Sequence, residues 1–319
     1  MSESERRMAL VATRHYIDGL SRIEIADELG ISRFVVARLL EQARERGVVR
    51  FEIASPDDID LTLSAQLRSA FSLRHAIVVH APSGADITMK ERLGTAAARL
   101  LEEVLRPGEV LGLAAGRTLR QMVRACEQLP LVDVVQLEGV AAGLHESGVE
   151  LVRRAARVSG GTPHALLAPL LTRTAESAAL LRDEPAARDT FSRFADVTTA
   201  VVGIGSWNPE DSQVSMLADQ LGIRDSLLEA GVRADLGAVL LDVDGQVIEQ
   251  ATAQSIGIDA DGLRRVPHVL AVAGGPLKFV AVRAALRSGL IHSLACDAIM
   301  AQALIADATP TDSAQRSDS

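Results

Sequence analysis

Disulfide chemistry has almost no material in this sequence: 319 residues contain two cysteines, Cys126 and Cys296. Both lie in stretches that read as amphipathic helix. The expectation is a pair of buried free thiols, with no disulfide framework, metal site or redox role. Any run of about 18 apolar residues is missing too, which argues against a membrane-spanning helix. The opening MSESERRMALVATRHY is charged where a secretory signal would be apolar, so a cytoplasmic location is expected. Positive charge is not in excess: the net charge is −9, which disfavours a protein that coats nucleic acid by bulk electrostatics. The distribution matters more than the total. Residues 1–55 carry nine Lys or Arg and nine Asp or Glu, so this head is neutral and the rest of the chain holds the whole −9. A neutral head on an acidic body still binds DNA if its arginines gather on one face.

What is present is a globular composition, 48% apolar and 24% charged. A chain this long suits one small and one large domain. Punctuation divides it into residues 1–55, residues 56–307 after a linker at Ala54–Asp60, and a disordered Ser/Thr/Asp-rich tail over 308–319.

The head reads as three short helices. Ser21 is a good N-cap for the second, with Glu24 three residues on as in a capping box, and Ile23, Ala26 and Leu29 are expected to share its inner face. Gly30 supplies a left-handed turn, and Ser32 caps a third helix that runs to Gly47. At 100° per residue its Val36, Leu39, Leu40 and Ala43 form an inward stripe. Phe34, Ala37, Arg38 and Glu41 then point outward, beginning at the helix N-terminus beside Arg33. A recognition helix keeps its base-reading side chains there when it enters a major groove. Arg33 and Arg38 can donate to guanine edges or phosphates, and Ser32 with the free amides of the first turn can hold a phosphate. Arg22, opening the preceding helix, joins the candidate DNA-contacting set. Val49, Phe51 and Ile53 alternate as a short strand would, which makes this a winged helix-turn-helix.

The remainder alternates apolar runs (AIVVHA, VLGLA, VDVVQLEG, ALLAP, TTAVVGIGS, LGAVLLDVDG, HVLAVAGG) with amphipathic helices such as Met89–Leu105 and Lys278–Leu286. That pattern means an α/β domain on a largely parallel sheet, whose ligands bind at the carboxyl ends of the strands. Two glycine-rich strand-to-helix loops fall there. One is Gly112–Thr118, in which Gly116 lets the backbone approach a ligand and Arg117 and Thr118 can hold a phosphate or sugar hydroxyls. The other is Ala273–Lys278, in which Gly274 and Gly275 close a strand and the Lys278 ammonium can meet an anion. Neither matches a nucleotide P-loop or a dinucleotide fingerprint. Gly139, after VVQLE, occupies the equivalent place on another strand. Asp235 is a buried acid that awaits either ligand hydroxyls or a partner such as Arg233 or a backbone amide.

The string IDGLSRIEIADELGISRFVVARLLEQARERGVVRFEI resembles the DNA-binding segment of the SorC family of sugar-responsive regulators. GLAAGRT, VQLEG, LLAP, AVVGIGS, AGGPLK and RSGLIHSLACDAIMAQALI extend the likeness through almost the whole large domain. The resemblance implies a Rossmann-like effector domain related to sugar-phosphate isomerases and glucosamine-phosphate deaminases. It also implies a sugar, polyol or phosphosugar effector, double-stranded operator DNA as partner, a homodimer or homotetramer, and no cofactor. It places Gly116, Arg117, Thr118, Gly139, Asp235, Gly274, Gly275 and Lys278 around the effector. Departures are Arg22 for the usual Gln, Phe34 and Ala37 for small or polar residues, and Val140, Ala115, His164, Leu113 and Ala114 in the expected pocket, so neither operator nor effector transfers from relatives. The rival reading is an isomerase- or deaminase-like enzyme. It needs a base over a substrate carbon, for which Asp235 and His164 are the only candidates.

Overall fold

The computed structural model describes residues 3–49, 59–80, 86–141 and 148–308. The expected wing at Phe51 and Ile53, the linker over 54–58 and the tail from 309 lie outside the described residues. The chain divides into two compact units, Met1–Ser55 and Pro56–Ser319.

In the head, α1 (Glu3–Tyr16), α2 (Arg22–Leu29) and α3 (Arg33–Glu45) enclose a core of Met8, Val11, Ala12, Ile25, Ala26, Val36, Leu40 and Ala43. The capping box forms as expected: Glu24 N–H donates to Ser21 Oγ, and Ser21 N–H donates to the Glu24 carboxylate at 2.8 Å. Gly30 adopts φ 65°, ψ 33°, the left-handed turn that ends α2. One expectation is corrected here. Ile23 is 58% exposed, whereas Ile25 is fully buried. At 100° per residue Ile25, Ala26 and Leu29 share an arc, and Ile23 lies at its edge.

The large unit is an α/β fold. Its strands are β1 (His75–Val79), β2 (Val110–Leu113), β3 (Asp133–Gln136), β4 (Pro163–His164), β5 (Thr199–Trp207), β6 (Glu210–Asp211), β7 (Ala234–Leu236), β8 (Val239–Leu241), β9 (His268–Val272) and β10 (Ser293–Asp297). Seven of them run in the order β1-β10-β9-β5-β2-β3-β4, with every neighbouring pair parallel. All five residues of β9 and of β10 are buried, as expected of strands covered on both faces. From β2 the chain steps outward to β3 and β4, returns to β5 on the other side of β2, and then builds outward through β9 and β10. The strand order therefore reverses between β2 and β5, where an open α/β sheet leaves a crevice at its carboxyl edge.

Strand β5 has a second role. Thr199–Gly203 sits in the parallel sheet against β9, and Ile204–Trp207 continues past it to pair antiparallel with β7 and β6. The run LGAVLLDVDG, expected as one parallel strand, is instead split between the antiparallel strands β7 and β8, which turn at Gly237 with φ +59°. The run ALLAP is not a strand of the main sheet. Only Pro163–His164 pairs there, and Pro169 and Leu171 form isolated bridges to Val140 and Ser255. Cys296, read as helical, lies in β10; a five-residue apolar run cannot be told from buried helix by periodicity alone. Both thiols are free and buried.

Candidate functional site

On the head, the Ser32 side chain accepts from Val35 N–H at 3.3 Å and fixes the start of α3. Immediately beyond it Arg33, Phe34, Arg38 and Glu41 are exposed, Ala37 is half-buried, and Arg22 is exposed on the first turn of α2. Phe34 is 72% exposed, with the Arg33 guanidinium 5.1 Å above its ring. An aromatic so uncovered has no core role, and the guanidinium beside it remains free to donate at its edge.

In the large unit one pocket opens at the carboxyl edge of the sheet. Its space measures about 690 Å3 when the open solvent at its mouth is included. Gly116, Arg117, Thr118, Gly139, Asp235 and Lys278, six of the eight expected effector positions, line it. Gly116 takes φ 152°, ψ 156°, a conformation reserved for glycine, and hands the chain into the helix Arg117–Ala125. Gly139 is glycine for a packing reason: a Cβ there would stand 2.4 Å from the Pro169 carbonyl oxygen. Gly274 and Gly275 lie outside the lining. A Cβ on Gly274 would strike Leu93, and Gly275 N–H donates to Asp297 Oδ2 at 2.8 Å, so this pair shapes the turn that delivers Lys278.

Asp235 finds other partners than Arg233 or a backbone amide. Trp207 Nε1–H donates to its Oδ2 at 2.9 Å, and the Ser212 hydroxyl donates to the same oxygen. Gly205 makes room for the carboxylate, since a Cβ there would lie 2.2 Å from Oδ2. Arg233 instead donates to the Leu228 and Val232 carbonyls. Burial pushes the Asp235 carboxyl up to about 6, against the pull of Ser212 and Lys278. The Lys278 ammonium donates to the Ile204 carbonyl at 2.5 Å and stands 3.7 Å from Asp211 Oδ2. Burial lowers its proton affinity, and Asp211 and Asp235 oppose the change.

Among the lining groups that sequence reasoning missed, Glu138, Asp211 and Ser212 shape the chemistry of the pocket. Glu138 is 4% exposed, and its Oε1 accepts from Ala115 N–H at 2.7 Å. Burial pushes its carboxyl up to about 8, so at neutral pH it is mostly protonated and able to donate. Asp211 pairs with Arg117, and Ser212 follows it. A Glu ending the buried run VVQLE was the available signal for the first. Nothing local marks the other two, because only the antiparallel excursion from β5 carries them to the site. His164 is not part of the lining; it sits in β4 with Nε2 3.9 Å from Asp133. The structure therefore does not bring the two candidate bases together. Among the described residues no group of His, Cys, Asp and Glu has the makings of a metal site, and no helix is long and apolar enough to cross a membrane.

This architecture is shared with known proteins. Residues 58–306 match the family described as "Putative sugar-binding domain". The transcriptional regulator LsrR of Enterobacter sp. (strain 638) is 30% identical over 308 residues, covering 95% of this chain and 93% of that one. LsrR of Escherichia coli (strain K12) is 28% identical over 307 residues, covering 94% and 95%. Among solved structures, the full-length sorbitol operon regulator SorC from Klebsiella pneumoniae superposes with a TM-score of 0.70 at 24% identity, over 95% of this chain and all of that one. A transcriptional regulator from Streptococcus pneumoniae TIGR4 superposes with a TM-score of 0.70 at 18% identity, over 77% and 96%. With a family match over most of its length and a relative aligned nearly end to end, the protein belongs to the SorC family of sugar-binding transcriptional regulators.

Proposed function

We propose that this chain is a cytoplasmic, DNA-binding transcriptional regulator whose grip on its operator changes when a small carbohydrate, a sugar, polyol or sugar phosphate, enters the pocket of the large domain. The observation that carries the reading is the meeting of six expected positions, from four distant stretches of sequence, in one pocket at the sheet's carboxyl edge. The exposed front of α3, with Arg33, Phe34 and Arg38, is the surface offered to the duplex, aided by Arg22, Ser32, Ala37 and Glu41. Operator-binding regulators carry such heads in pairs, so the working form is a homodimer or homotetramer, and the effector favours the arrangement for which it has the higher affinity.

The pocket acts by binding rather than by turnover. Support for this comes from the two bases an isomerase-like reading would need: one oxygen of Asp235 is engaged by Trp207 and Ser212, and His164 stands outside the lining, so the two do not meet over one site. The test is fluorescence anisotropy of a labelled duplex, selected for binding to the full-length protein and titrated with and without a panel of sugars, polyols and their phosphates. At least one panel member should shift operator affinity, with none consumed. Specific DNA binding that no metabolite alters, or turnover of a sugar phosphate, would overturn the reading.

A further inference from the structure

Arg117 and Lys278 form an anion seat in the pocket, and the chain fills it with a carboxylate of its own. Asp211 reaches Arg117 with one oxygen and stands 3.7 Å from the Lys278 ammonium with the other. Its placement is built in. β6 pairs antiparallel with the end of β5, Ser206↔Asp211 and Trp207↔Glu210, and the Ser206 hydroxyl donates to the Pro209 carbonyl at 2.7 Å. From behind, Arg224 holds Glu210 at 3.2 Å, the Ser215 hydroxyl at 2.9 Å and the Trp207 carbonyl at 3.0 Å. Lys278 spends a further proton on the Ile204 carbonyl, and Lys90, the other lysine of the lining, has interactions of its own. The rest of the polar lining suits hydroxyl groups. Trp207 and Ser212 both address Oδ2 of Asp235, which leaves Oδ1 as an acceptor, and Glu138 has its Oε1 on Ala115 N–H and a second oxygen to offer.

We propose that Asp211 is the specificity-determining residue of this pocket: a tethered anion on Arg117 and Lys278, it selects an uncharged polyhydroxyl ligand, a free sugar or polyol, against the corresponding phosphate ester. The inference rests on the reading of this pocket as the effector site and names the ligand class it takes. A phosphate entering the seat must expel Asp211 or lie beside it, and like charges in a partly desolvated site repel. The tethered carboxylate competes at an effective concentration on the order of millimolar or above, which a free anion must exceed. Hydroxyl groups meet no such competitor, and Asp235 and Glu138 offer them both an acceptor and a donor.

The experiment is calorimetry on the full-length protein with inorganic phosphate as the first probe, then with matched pairs such as glucitol and glucitol 6-phosphate or ribose and ribose 5-phosphate. Wild type should show no saturable phosphate binding at low millimolar concentration, and in any pair that binds, the free form should bind more tightly. Asp211→Asn, which removes the charge and keeps the shape, should gain at least about tenfold in affinity for inorganic phosphate. Asp211→Ser serves the same purpose should the amide disturb Arg117. A phosphate ester bound by wild type tenfold more tightly than its free partner overturns the proposal, as does equal phosphate binding, or none, in wild type and both variants. Operator binding without ligand is measured alongside. The metabolite panel is added in a second series, and operator binding absent from wild type in both series would sink the regulatory reading and leave the phosphate result to stand separately.

Discussion

Glu138→Gln should make the protein more stable at alkaline pH, by an amount the structure sets. The Glu138 side chain is 4% exposed and its carboxyl is pushed from near 4.5 up to about 8, chiefly by burial, with Ala115 N–H opposing and the Asp235 charge adding. The unfolded chain releases this proton near pH 4.5 and the folded chain near pH 8, so between those values the folded state holds a proton that the unfolded state has lost. The favourable contribution is complete below pH 4.5, declines as pH rises through the window, and is gone once the folded carboxyl ionises above about 8. Each pH unit is worth about 1.4 kcal/mol while the folded carboxyl stays protonated, and because it is half ionised by about pH 8 the step from pH 6 to pH 8 removes about 2 kcal/mol. Glutamine keeps a carbonyl oxygen for Ala115 N–H and cannot ionise. Subtracting the two proteins cancels every titration they share, and the gap in melting temperature should widen by about 4–8 °C between pH 6 and pH 8 for a domain of this size. Thermal and urea denaturation at half-unit pH steps measure it. Stability curves that stay parallel across that range would show that Glu138 ionises as an ordinary exposed carboxylate and that the pocket is wetter than described.

Arg38→Ala should weaken operator binding by about 1–3 kcal/mol while sparing effector affinity, and Lys278→Ala should do the reverse; anisotropy and calorimetry on each variant separate the two, and matching defects in both would refute the division of labour. Gly205→Ala places a methyl 2.2 Å from Asp235 Oδ2, so its bonds to Trp207 and Ser212 must give way. A stability loss of about 1–3 kcal/mol by urea denaturation, with weakened effector binding, is the expected result. Ser21→Ala removes one half of the capping box on α2 and should cost the head about 1 kcal/mol, read from circular dichroism melts.

The parts of this molecule that were legible in the sequence are those fixed by local rules. Ser21, Gly30 and Ser32 punctuate the head because capping and left-handed turns depend on residues within one turn of helix. The parallel strands β1, β2, β3, β5 and β9 were visible as continuous apolar runs, whereas β10 read as helix and β4 fell outside the run ALLAP. What the sequence hid depends on long-range pairing. β7 and β8 read as one strand because burial on both faces erases the period-2 signal, and only the pairing of Asp235 with Gly205 reveals their direction. Gly274 and Gly275 read locally as ligand glycines, yet Leu93 and Asp297, on other elements, explain why glycine stands there. Asp211 is hidden for the same kind of reason: an acid in a polar loop gives no local hint that two cations from other elements converge on it.

The two thiols give the protein a ready-made gauge of its own opening. Cys296 lies at 0% exposure in β10, next to the edge strand β1, and Cys126 at 5% exposure at the C-terminal end of the helix Arg117–Ala125, whose other end carries the pocket loop. Burial pushes the Cys126 thiol up to about 12, with Glu102 adding, and raises Cys296 further still, so neither presents appreciable thiolate while the fold is closed. Alkylation in the resting protein therefore has to await an excursion that wets the sulfur. Cys126 should report fraying of one helix end and Cys296 the breakage of the sheet itself, so a ligand that tightens the helix after Gly116 would slow labelling of the first far more than the second.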